Sequence, residues 1–300
     1  MFDFHTTDLS SLFASTRATH WRCADVMLDL RRPQIMGILN VTPDSFSDGG
    51  EHAQLAQAIA WARRMKDEGA DIIDVGGEST RPGFDEEGVS LEEERRRVIP
   101  VVQALLSEGF CVSVDTSKPE IMLECARLGV HILNDIRGFT QPGALEAAAS
   151  TMCGLCVMHR AHSTDYADLL EDIESFLLTQ TELLKGLGVS ADRICWDPGI
   201  GFGKTVEQNY QLMAATDRWV ESGYPVLMGL SRKSSIGAVT GHSAPKDRVV
   251  GSVTGAVLCA DLGAQILRVH DCLATRDGLS VWAAFKLGTL ANERARSDDR

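Results

Sequence analysis

Residues 111–135 read CVSVDTSKPEIMLECARLGVHILND, and this stretch decides the fold. Cys111 to Asp115 is a short apolar run of the kind a buried parallel strand requires, and Ile132 to Asp135 (ILND) is another. Between them Ser117 and Glu120 stand at capping-box spacing, and Pro119 is acceptable in the first turn of a helix. The local order is strand, helix, strand.

The same rhythm continues on both sides. Six more strand-like segments are Gln34 to Asn40 (QIMGILN), Asp71 to Val75 (DIIDV), Leu155 to His159 (LCVMH), Ile194 to Asp197 (ICWD), Pro225 to Ser231 (PVLMGLS) and Ile266 to His270 (ILRVH). Helical patterns lie between them. Ala53 to Glu68 stops at Gly69, and Leu91 to Leu106 follows Ser90, with Glu93 three residues on as a second capping box. Eight strands alternating with helices predict an α/β fold, a single-domain (β/α)8 TIM barrel over residues 34–290. A doubly wound open sheet is the alternative that periodicity does not separate from it. Residues 1–33 form an N-terminal extension, in which VMLDLRR predicts an extra strand or hairpin closing the barrel bottom. Residues 291–300 (ANERARSDDR) read as a charged tail that frays.

Composition narrows the function. A chain that is 44% hydrophobic and 24% charged folds, and its formal charge of −13 argues against a nucleic-acid partner. Any anionic ligand must be met by a few local cations. No apolar run reaches the ~20 residues of a membrane span. Asp3 and Asp8 stand where a signal peptide carries positive charge, so a cytoplasmic location is expected. The eight cysteines lie mostly in apolar segments and read as reduced core thiols. Cys153, Cys156 and His159 have metal-ligand spacing, but strand alternation sends Cys156 and His159 to opposite faces and no second pair completes a site.

The chemistry collects at the C-terminal strand ends: Asn40, Asp74, Asp115, Asn134, His159, Asp197, Ser231 with Lys233, and Arg268 with His270. In a barrel these ends share one face, the face that carries active sites. Asp115, Asn134 and Asp197 offer acceptors to an amino-substituted heterocycle, while Lys233, Arg268 and His270 suit a phosphorylated group. Three glycine-rich loops, DSFSDGG, GGESTRPG and DPGIGFGKT, follow strand ends. PGIGFGKT is not a phosphate-binding Walker loop, because Pro198 occupies the position of its first glycine.

Seven ordered blocks carry a family resemblance: GILNVTPDSFSDGG (Gly37 to Gly50), IIDVGGESTRPG (Ile72 to Gly83), VDTSKPE (Val114 to Glu120), LNDIRGF (Leu133 to Phe139), DPGIGFGKT (Asp197 to Thr205), SRKSSIG (Ser231 to Gly237) and RVHD (Arg268 to Asp271). Together they closely resemble the dihydropteroate synthases. The resemblance implies condensation of a (7,8-dihydropterin-6-yl)methyl diphosphate with 4-aminobenzoate, giving dihydropteroate and pyrophosphate for folate synthesis. It implies Mg²⁺, a homodimer and sensitivity to sulfonamides. Asp115, Asn134, Asp197 and Lys233 match pterin-pocket positions, and Arg268 would lie along the pterin near Asp115. Asn40 matches the Mg²⁺ position, and Thr80, Arg268 and His270 match diphosphate contacts. Ser231, at the start of the SRKS helix, would hold the aminobenzoate carboxylate; Phe46 and Pro82 would wall that subsite, and Arg81 would help order the loops. Asp115, Lys233 and Arg268 are the expected catalytic groups.

One stretch departs from the family's usual MHMQG. Met158 and His159 are kept, but Arg160 to Asp165 (RAHSTD) are not. Two other functions compete: pterin-dependent methyl transfer, which needs no diphosphate subsite, and a non-catalytic pterin-binding paralogue, motivated by this loop.

Overall fold

The computed structural model describes residues 4–13, 15–42, 51–78, 88–161 and 163–298. Ten strands run β1 His20–Cys23, β2 Val26–Asp29, β3 Gln34–Asn40, β4 Ile72–Gly76, β5 Val112–Asp115, β6 Ile132–Asp135, β7 Gly154–Met158, β8 Ile194–Asp197, β9 Leu227–Met228 and β10 Ile266–Val269. The last eight form one sheet, in the order β8, β7, β6, β5, β4, β3, β10, β9. Every ladder within that sheet is parallel. A parallel bridge between Trp196 and Val226, with the Trp196 amide donating to Pro225 O at 2.8 Å, joins its two edges. The sheet is thus a barrel, and the open-sheet alternative is set aside.

The strands are buried on both faces, which is why they read as continuous apolar runs. Helices α1 (Glu51–Asp67), α2 (Leu91–Ser107), α3 (Pro119–Leu128), α4 (Ala144–Ala149) and α5 (Leu169–Gly186) follow β3 to β7 in turn. Gly69 ends the first of them at φ +102°, a conformation that disfavours side chains. The N-terminal extension forms the antiparallel hairpin β1–β2. Its Trp21, Cys23, Leu28 and Leu30 pack against Met36, Ile72, Ile132 and Ile266, closing the barrel floor. The polar C-terminal strand ends lie at the opposite mouth.

Four local expectations need correction. Lys118, not Ser117, is the N-cap of α3, and it makes no side-chain cap bond. The Ser117 hydroxyl donates instead to the buried Asp135 carboxylate, a stronger acceptor than a helix end offers. At α2 Ser90 accepts from the Glu93 amide at 3.2 Å, but the Glu93 carboxylate turns to Arg96 and Arg97. Strand β9 is two residues long, because the chain leaves the sheet at Gly229 and Arg232 adopts φ +58°. Finally, the last helix α10, Cys272–Asp298, runs through most of the stretch assigned to a fraying tail. Alanine, glutamate and arginine are good helix formers, and they carry it onward.

Candidate active site

Register builds the mouth. Asn40 pairs with Gly76, Gly76 with Asp115, and Asp115 with Asn134, so one rung crosses four adjacent strands. From β10, which pairs with the other edge of β3, Arg268 donates through Nε to Asp74 Oδ2 at 2.6 Å and through Nη2 to Asp115 Oδ2 at 2.8 Å. Asn134 Nδ2 donates to the same Asp74 oxygen at 3.2 Å. Asp74 Oδ1 and Asn134 Oδ1 are buried with no hydrogen-bond partner among the described residues. Two orphaned acceptors beside a paired guanidinium are what a site presents to a ligand bearing N–H donors.

The charges adjust to this confinement. Burial pushes the Asp115 carboxyl up; Arg268 opposes the rise, while Asp74, Asp135 and Glu94 add to it. Burial would lower Arg268, but Asp74 and Asp115 outweigh it and hold the guanidinium charged. Asp197, at the end of β8, is likewise raised by burial, against the pull of Lys233 and of the Gly199 amide, which donates to Oδ1 at 2.7 Å. Burial brings Lys233 down to about 8, opposed by Asp197. Lys233 donates to Ile200 O, and its Nζ lies 4.3 Å from the Phe202 ring centroid.

A cavity of about 370 Å³ opens beside this cluster, lined by Asn40, Phe202, Ser231, Lys233, Arg268 and His270 among others. The fold thus brings together Asn40, Ser231, Lys233, Arg268 and His270 around the cavity, and links Asp115 and Asn134 to it through Arg268 and Asp74. Ser231 does not begin a helix: α8 spans Ser234–Thr240. Its Oγ accepts from the His270 amide at 3.2 Å and lies 3.1 Å from His270 Nδ1. Phe46, Thr80, Arg81 and Pro82 lie outside the described residues. Two site residues were given no role by the sequence. Asp74 showed as a strand-end carboxylate, but its partner is a guanidinium 194 positions away in the chain. Phe202 sat in a glycine-rich loop whose path no periodicity gives.

The expected metal position can be tested on its donors. Asn40 offers one hard amide oxygen in the cavity, and no group of three or more His, Cys, Asp or Glu gathers among the described residues. A hard oxygen of that kind suits Mg²⁺, which takes few protein ligands and keeps water and substrate phosphate oxygens. Cys156 lies in the barrel-floor cluster, Cys153 Sγ donates to Val130 O at 3.1 Å, and all eight cysteines are free.

A parallel barrel with a carboxylate-flanked arginine, orphaned acceptors and a cation-lined cavity at its mouth defines a class of enzyme that grips a polar heterocycle. The chain belongs to the pterin binding enzyme family, whose model matches residues 36–270. Within that family it is similar to dihydropteroate synthases. The enzyme of Haemophilus influenzae is 46% identical over 265 residues, covering 86% of this chain and 95% of the relative. The Xanthomonas albilineans dihydropteroate synthase with 4-aminobenzoic acid superposes with a TM-score of 0.86 at 45% identity, covering 90% of this chain and 98% of that one. The Yersinia pestis enzyme in complex with a sulfonamide drug gives 0.83 at 46% identity, covering 89% and 99%.

Proposed function

We propose that this chain is a dihydropteroate synthase, a transferase that condenses (7,8-dihydropterin-6-yl)methyl diphosphate with 4-aminobenzoate, and a sulfonamide target. The observation that carries the reading is the pair of orphaned buried oxygens, Asp74 Oδ1 and Asn134 Oδ1, beside Arg268. The amino and ring N–H groups of a pterin supply the donors these oxygens lack, with Asp197 as a further acceptor. Arg268, His270 and Thr80 would meet the diphosphate, and Lys233 would belong to the pterin pocket. Asn40 would hold Mg²⁺ together with substrate oxygens and water. When bound, the ion neutralises charge on the departing diphosphate.

The reaction exchanges one bond for another. The methylene C–O bond breaks and its electron pair leaves with pyrophosphate. Asp115 stabilises the positive charge that develops on the pterin methylene. The aniline nitrogen attacks that carbon and releases its proton to solvent. No covalent enzyme nucleophile is needed. Ser231 is assigned to the aminobenzoate subsite; Phe46, Pro82 and Arg81, which the resemblance assigns to that subsite and its loops, lie outside the described residues.

The homodimer implied by the resemblance is supported by exposed apolar side chains on α9 (Val249–Asp261) and α10, where Val250 is 79% exposed and Val281 and Phe285 are each 72% exposed. Sedimentation equilibrium of the Val281→Asp/Phe285→Asp variant should shift the dimer to monomer. The free thiols fit a reducing cytoplasm, and no described helix is long and apolar enough to cross a membrane.

The deciding experiment mixes the protein with dihydropterin diphosphate, 4-aminobenzoate and Mg²⁺ and follows dihydropteroate by mass spectrometry. Product is expected. A protein that forms none, but transfers a methyl group from methyltetrahydrofolate to a corrinoid, belongs to the competing class.

A further inference from the structure

Lys204 stands in the loop between β8 and α6 (Val206–Ala214), and its ammonium is spent on backbone. Nζ donates to Gly199 O at 2.8 Å, to His159 O at 3.3 Å and to Phe202 O at 3.3 Å. Three acceptors use all three donors of a lysine. They come from two loops, because His159 follows the end of β7 while Gly199 and Phe202 belong to the β8–α6 loop. Two backbone bonds run beside the ammonium, His159 N to Asp197 O at 3.0 Å and Ala161 N to Phe202 O at 3.3 Å. The two backbones approach too closely for side chains. A Cβ on Gly199, at φ +76°, would lie 1.8 Å from His159 O, and one on Gly203 would lie 2.6 Å from Ala161 O. Burial lowers Lys204 to about 7, opposed by Asp197. The three carbonyls favour the charged form.

The loop held this way builds one wall of the ligand cavity. Its Ile200 carbonyl accepts from Lys233, its Phe202 ring lies under Lys233 Nζ, and its Gly199 amide donates to Asp197. A Cβ on Gly201 would sit 2.6 Å from Lys233 Cδ, so the lysine stem lies flat on the loop backbone. Phe202 and Lys233 line the cavity. Lys204 itself does not line the cavity, and its hydrogen bonds go to carbonyls alone.

We infer that Lys204 is a positioning residue for pterin binding: its carbonyl clamp fixes the β8–α6 loop, and the loop fixes Lys233 and Asp197. The inference rests on the pterin-pocket reading above. Removing the ammonium takes the shared donor from all three carbonyls; Phe202 O keeps the Ala161 amide and Gly199 O the Phe202 amide, but the tie from His159 O to the β8–α6 loop through Nζ is lost, and the loop relaxes. Lys233 then loses its seat. The aminobenzoate subsite is assigned to Ser231, which is held by His270 and not by this loop, and should be indifferent.

The test is Lys204→Met, which keeps the length of the side chain and removes its donors. Dihydropterin diphosphate with Mg²⁺ is titrated calorimetrically, and steady-state constants are measured for both substrates. Expected are a tenfold or greater rise in the pterin Kd and KM, and a 4-aminobenzoate KM within twofold of wild type. A merely structural lysine would lower the fraction folded without separating the two substrates. Lys204→Gln, which keeps two donors, serves where the Met variant does not fold, and its pterin Kd should rise at least threefold. Either folded variant binding pterin within twofold of wild type overturns the inference alone. Wild-type protein that binds no dihydropterin overturns the pterin reading with it.

Discussion

Arg268 Nε and Asp74 Oδ2 meet at 2.6 Å across the barrel mouth, and the Asp74 side chain is fully buried. The pair joins β4 to β10, strands separated in the sheet by β3. It also fixes the guanidinium edge that reaches Asp115. A buried ion pair is costly to leave half-made. Arg268→Met or Asp74→Leu alone should cost about 3–5 kcal/mol, because each strands an opposite charge in a poorly solvated site. The double variant should cost less than the sum of the two. Urea denaturation of the four proteins checks this, and additive losses would show that the residues act independently.

Asp115 carries the next prediction. Its carboxyl is raised by burial, so at low pH it is protonated and neutral and gives a cationic methylene little electrostatic support. As pH rises through the raised value it ionises, and kcat/KM for the pterin diphosphate should rise with it. By linkage, the same group stabilises the fold at low pH and loses that contribution as pH rises through its folded value. Asp115→Asn should remove the ascending limb and lower kcat about 100-fold, with pterin Kd changed far less. Arg268→Ala should weaken both. A variant that alters the pterin KM alone would show uniform binding and refute the role of Asp115.

Much of this was legible in the chain, because barrel strands are buried on both faces and write themselves as apolar runs. Ile132–Asp135 and Ile194–Asp197 fall where the periodicity places them. The ring of polar strand ends was equally readable, since one direction of chain puts every C-terminus at one mouth. Pairing was not. That Arg268 chooses Asp74 depends on sheet order, and that Ser117 serves Asp135 instead of a helix end depends on burial of the carboxylate. The seat of Lys204 depends on backbone carbonyls, which no side-chain pattern records.

Trp21 tests whether the hairpin is structural. Its ring is fully buried in the floor cluster, and Nε1 donates to Arg193 O at 2.9 Å. Trp21→Ala should lower stability by about 3–5 kcal/mol through the cavity it opens. The mouth lies at the other end of the strands, so kcat of the folded fraction should stay within twofold. A large fall in kcat at temperatures where the variant is fully folded would give the floor a catalytic role.

The departing loop, Arg160 to Asp165, supplies the last prediction. It emerges after β7 on the catalytic face and makes its described ties through backbone: Ala161 N donates to Phe202 O at 3.3 Å, and Thr164 O accepts from Gln208 Nε2 at 2.8 Å. The Asp165 amide closes a turn on the Ser163 hydroxyl at 3.0 Å. Arg160 and Asp165 line a second cleft, shared with Arg137 and Tyr166 and separate from the cavity of Lys233 and Arg268. The Arg160 and Asp165 side chains therefore lie outside the groups assigned to the pterin, while the Ala161 amide braces the β8–α6 loop. Replacing residues 160–165 by a Gly/Ser segment of equal length keeps those backbone donors and acceptors. The variant should fold, bind dihydropterin and form product, with kcat reduced by less than about tenfold, or less than about 1.4 kcal/mol in the barrier. Thermal unfolding, pterin titration and product assay are read on the same preparation. A folded, pterin-binding variant that makes no dihydropteroate would assign this loop an essential catalytic group.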